Sequence, residues 1–140
     1  NYVGRLDKFP LKVEQVVEAL KVRESKGVLP PKFTVEKVLE QMRGFVKPAP
    51  TEHMLYTTLA KKLEKIAPPA LDAATREALL AETARAIEQS VYPAYAGVIA
   101  YFEGLQSKAT SNDGVWRLPD GDAFYAFAVR DNTTTNMTPE

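Results

Sequence analysis

Apolar residues recur along most of this chain at three- and four-residue intervals, with polar and charged residues between them. That period belongs to amphipathic helices. The first seam runs through Tyr2, Leu6, Phe9, Val13, Val16, Val17 and Leu20. Pro10 interrupts it, so two helices or one bent helix should meet near residues 8–10, and Gly27 should cap the segment. The Pro30-Pro31 linker then leads to Thr34, a candidate N-cap. Phe33 is placed to staple against Val38, and Val35, Val38, Leu39 and Met42 form the inner face. Residues 51–66 predict a short, partly irregular helix through Met54, Leu55, Leu59, Leu63 and Ile66.

The longest element is predicted from the N-cap Asp72 to about residue 107, with Leu79, Thr83, Ile87, Val91, Ala94, Val98, Phe102 and Leu105 on one face. Pro93 should kink it near residues 89–93, because proline lacks a donor and crowds the carbonyl four residues earlier. A turn at Asn112-Asp113-Gly114 and a short segment, residues 115–118, that could be extended lead into Pro119-Asp120-Gly121. A last helix follows over residues 122–130, apolar from Ala123 to Val129 apart from the hydroxyl of Tyr125. Such a helix needs cover on every side. The expected fold class is all-α: an irregular antiparallel array of about six helices in one segment, residues 1–140, without an internal boundary.

The chain starts at Asn1 inside helical sequence, and Thr138-Pro139-Glu140 has the form of a further helix start. Both ends suggest a segment of a larger helical protein.

Composition narrows the partners. Eighteen basic and eighteen acidic residues give zero formal net charge, which argues against nucleic acid. No apolar run approaches the roughly 20 residues of a membrane span. With no cysteine, thiolate metal sites and a cysteine nucleophile are excluded.

Few residues suggest chemistry. His53 is the only histidine, without the further ligands a zinc site needs, and reads as a surface or packing residue. The pairs Glu14/Glu18 and Glu36/Glu40 lie opposite the apolar stripes, as does the basic cluster Lys61, Lys62 and Lys65; all read as solvated faces. The aromatic residues Tyr92, Tyr95, Tyr101, Phe102, Phe124, Tyr125 and Phe127 read first as core and second as the lining of a groove. Arg130, alone among apolar residues, should pair with Asp131 or open into a site binding a carboxylate or carbonyl. Thr133-Thr134-Thr135 reads first as structural and second as a set of donors. Catalytic and metal-binding residues are not found; the substrate-binding candidates are Tyr125, Arg130 and Thr134.

The motifs Val91-Tyr92-Pro93-Ala94-Tyr95, Leu118-Pro119-Asp120-Gly121 with Tyr125 and Arg130, and Thr133-Thr134-Thr135 through Thr138-Pro139-Glu140 resemble the bacterial family known as domain of unknown function 885. Weaker agreement reaches back through Pro30-Pro31 to Asn1. Phe124 departs from the family, which often has a tyrosine there. The resemblance implies a zinc-dependent, oligopeptidase-like helical hydrolase, frequently an envelope lipoprotein. The family's metal signature, His-Glu followed by Pro-Gly-His-His, does not occur in this sequence. On that resemblance zinc is expected in the full-length protein, and these residues contribute scaffold and one wall of a peptide cleft without activity of their own. The partners are then the rest of the polypeptide and a peptide substrate, with self-association of the isolated segment. An interaction domain without chemistry is the alternative.

Overall fold

The computed structural model describes residues 2–66 and 70–138. Its α-helices are α1 (Tyr2–Asp7), α2 (Phe9–Ser25), α3 (Lys32–Phe45), α4 (Met54–Leu63), α5 (Ala73–Ala86), α6 (Tyr92–Gln106) and α7 (Gly121–Thr133). A π-helical turn, Ile87–Val91, joins α5 to α6, and a 3-10 turn, Val115–Arg117, precedes α7. Since α1 abuts α2 and α5 runs through the π turn into α6, the segments make five rods, one fewer than the six or so expected. The described residues contain no strand, and the array is all-α.

The long rod is the spine. Its first half packs against α1 and α4, and its second half against α2 and α3. Each half carries a core. Val3, Leu6, Ala86, Ile87 and Val91 form one, and Val35, Leu39, Val98, Phe102 and Leu105 form the other. The predicted stripe supplies both, from Thr83 to Leu105. The π turn lies where Pro93 was expected to disturb the helix. Proline cannot donate to the carbonyl four residues back, and a wider turn just ahead of it accommodates the lost bond.

Local chemistry fixes the other boundaries. Pro10 sits in the first turn of α2, where its missing donor costs nothing. After α2, Gly27 adopts a φ of 75°, with Gly27 N–H donating to the Glu24 carbonyl at 2.9 Å and Val28 N–H to that of Arg23 at 3.0 Å. This pair of bonds is a Schellman cap. Asp72 caps α5 as expected, accepting from Thr75 N–H at 2.7 Å.

Three expectations need correction. Helix α3 begins at Lys32, with Pro31 rather than Thr34 at the N-cap position. Thr34 N–H bonds the Pro31 carbonyl inside the first turn, and Phe33 is left exposed. The proline pair had already set an extended entry, with the N-cap three residues earlier. Val16 also points to solvent. Residues 115–117 form a 3-10 turn rather than extended chain. Pro68-Pro69 and the expected helix start at Pro139-Glu140 lie outside the described residues.

Candidate functional site

Helix α7 is the element with the most chemistry and the least cover. It is entered through Asp120, which adopts a left-handed φ of 55°. Gly121 is buried against the 3-10 turn, where a Cβ would meet the Val115 carbonyl oxygen and stand 2.9 Å from the Trp116 Cα. Close backbone approach therefore sets the take-off of α7. The preceding Pro119 lies on Gly27, so the α2 cap and the α7 entrance touch.

The far end of α7 is closed by its own hydroxyls and amide. Asn132 Nδ2 donates to the Ala128 carbonyl at 2.9 Å, Thr133 Oγ1 to that of Val129 at 2.7 Å, and Thr134 N–H to that of Arg130 at 2.9 Å. Thr134 has a left-handed φ of 53°, and its hydroxyl donates to the Thr133 carbonyl at 2.7 Å. The threonine run thus satisfies carbonyls that any helix end leaves open.

Between these ends the expected cover is missing. Phe124, Tyr125 and Phe127 are 54%, 49% and 56% exposed, although apolar helices are normally buried. At about 100° per residue from Gly121, which faces the 3-10 turn, Tyr125 and Val129 fall at about 40° and 80°, Phe127 and Arg130 at about 240° and 180° on the outer side, and Phe124 at about 300° between the two. Tyr125 and Arg130 consequently sit about 140° apart around the axis and do not converge. Thr134 lies beyond the last helical residue, in the left-handed cap, and helical phase does not align it with Arg130. Arg130 is exposed and has no ion pair among the described residues. Its expected pairing with Asp131 does not form.

The aromatic residues divide accordingly. Phe9 stacks on Tyr95 at 5.6 Å, Tyr95 on Phe45 at 4.5 Å, and Phe45 meets His53 edge-on at 4.4 Å. Tyr92 OH donates to the Pro48 carbonyl at 2.6 Å. These rings, with Phe102, are core. Phe124, Tyr125 and Phe127 are surface.

The one histidine is buried structure. His53 is 1% exposed and caps α4. Its Nδ1 accepts from Leu55 N–H at 3.2 Å, so the proton resides on Nε2, which donates to the Phe45 carbonyl at 3.1 Å. Burial lowers its pKa below the ordinary histidine value. With both nitrogens engaged it is unsuited to bind zinc. Among the described residues no three His, Asp or Glu side chains gather as a metal site.

The family model described as bacterial protein of unknown function (DUF885) matches residues 1–140. The chain belongs to the DUF885 family. A crystal structure described as "the putative lipoprotein from Colwellia psychrerythraea" superposes on the DUF885 chain with a TM-score of 0.90 at 26% identity, covering 98% of this chain and 23% of that one. The DUF885 chain therefore spans about a quarter of that solved structure. No curated protein matches it. No helix among the described residues is long and apolar enough to cross a membrane.

The outer face of α7 yields a direct expectation. The isolated 140-residue chain should self-associate through Phe124 and Phe127, and Phe124→Ser/Phe127→Ser should suppress this. Sedimentation velocity over a concentration series checks it; a strict monomer at high concentration contradicts it.

Proposed function

We propose that this chain is the helical scaffold of a peptide-hydrolysing metalloenzyme of the cell envelope, and that the outer face of α7 forms one wall of its cleft. The observation that carries the proposal is that α7, seated through Gly121 on the 3-10 turn, leaves the Phe124 and Phe127 rings uncovered and carries the exposed Arg130, which has no ion pair among the described residues. Rings can hold apolar side chains, and Arg130 can donate to a substrate carbonyl or carboxylate in a forked geometry. Thr134, in the C-terminal cap, and the exposed Tyr125 are the other candidates of this stretch.

Support for hydrolysis comes from the resemblance of the residue 118–140 motifs, and support for the envelope from the description of the solved neighbour. The described residues do not fit zinc, since both nitrogens of His53 are engaged and no ligand set assembles among them. On this reading the metal, which would supply an activated water, belongs to sequence outside these 140 residues. An interaction domain without chemistry would use the same α7 face to hold a partner. To separate the two, full-length protein is assayed on a peptide mixture with and without chelator, alongside metal analysis. Chelator-sensitive cleavage supports the proposal; a metal-free, inactive full-length protein rejects it.

A further inference from the structure

A second feature stands apart from α7. A cavity of about 330 Å³ opens between the end of α2, the linker into α3, α6 and the 3-10 turn. Its walls include Leu20, Leu29, Val38, Phe102, Leu105 and Leu118, and its only ionic side chains are Arg23 and Arg117. Neither arginine has an ion pair among the described residues. The neighbouring acid, Glu24, is taken by Lys108 Nζ at 2.6 Å. Arg117 is half-buried, donates from Nη1 to the Leu29 carbonyl at 2.5 Å, and encloses an Nε with no partner. A partly desolvated guanidinium with one neutral acceptor is under-compensated, because buried charge is normally paired.

We propose that this cavity binds a small carboxylate with an apolar tail, its head group toward Arg23 and Arg117 and its tail along Leu20, Val38 and Phe102. A wholly apolar ligand would leave the partly desolvated Arg117 without an anionic partner, and a bare anion would leave the leucine-lined walls unfilled. The cavity has room for a short aliphatic acid. The site connects distant parts of the chain: Arg117 and Leu118 lead into α7, while Leu29 belongs to the α2–α3 linker. Occupancy would thereby tighten the base from which α7 departs.

The test is calorimetric titration of the full-length protein with octanoate, N-acetyl-leucine and octylamine. Octanoate should saturate a single site and octylamine should not. N-acetyl-leucine bound in place of octanoate, with the same arginine dependence, would confirm the site and identify its source as peptide C-termini rather than aliphatic acids. Arg23→Glu, at an exposed position, should weaken binding by about tenfold or more. Arg117→Gln should do the same, with thermal unfolding as the check on its fold; if that variant fails to fold, Arg23→Glu decides. The proposal is overturned by octylamine binding as well as octanoate, by no saturable binding of either acid, or by binding that Arg23→Glu leaves unchanged.

Discussion

Replacing His53 by alanine is expected to destabilise the chain by about 3 kcal/mol, through a lost cap acceptor, an orphaned carbonyl and a cavity. The ring is 1% exposed, and its two nitrogens hold the start of α4 to the end of α3. Around it, Phe45 and Tyr92 pack edge-on at 4.4 and 5.7 Å. His53→Asn should fall between, since asparagine can still cap α4 but cannot fill the space. The same geometry predicts a pH dependence. Protonating Nδ1 would place an N–H against the Leu55 N–H, and burial already lowers the folded pKa. The unfolded chain therefore binds the proton more readily. Stability from this group is present above about pH 6.5 and is lost as pH falls from there through the lowered folded value. Denaturant unfolding at pH 7.5 and 5 should show this loss in the wild type and a smaller one in His53→Asn; equal slopes would contradict it.

The second large effect is expected at Gly121. Alanine usually stabilises a helix relative to glycine by about 0.5–1 kcal/mol, so the sign of the change is informative. Here a Cβ would meet backbone atoms of Val115 and Trp116, which cannot swing aside as a flexible side chain would. Gly121→Ala should destabilise, and Gly121→Val should cost about 1–3 kcal/mol as the contact is overpacked. Both should shift α7 relative to the 3-10 turn. Unfolding midpoints for the two variants check this, and a stabilising Gly121→Ala would show that α7 is not held by that contact.

The helical array was legible because most core residues sit on a repeating stripe, although Val3 and Ala86 are buried off it and Tyr2 is exposed on it. Thr83, Ile87, Val91, Val98, Phe102 and Leu105 are all buried, and the proline that interrupts them marks the π turn. Asp72 and Gly27 announced their caps by residue type alone. The cap at His53 was not announced, because histidine is an uncommon N-cap and the ring's burial depends on Phe45 and Tyr92 from other elements. Thr34 misled for the converse reason: a good capping residue lies inside a helix that Pro31 had already begun. At α7, the apolar run correctly signalled a need for cover, but not that this cover is absent from the described chain. Nor could composition place Tyr125 and Arg130 on different sides, since that depends on helical phase. The cavity at Arg117 was hidden altogether, being assembled from residues nearly 100 positions apart.

If the outer side of α7 holds substrate, Arg130 is the residue whose loss should show it. Arg130 is exposed and has no ion pair among the described residues, so Arg130→Ala should leave folding intact. In the full-length protein, with metal content and unfolding midpoint unchanged, Arg130→Ala should lower kcat/KM on peptides by tenfold or more, about 1.4 kcal/mol of lost transition-state binding. Arg130→Lys should recover only part of it, because an ammonium cannot reproduce the fork. An Arg130→Ala enzyme with unaltered kcat/KM would rule out substrate binding by this side of α7.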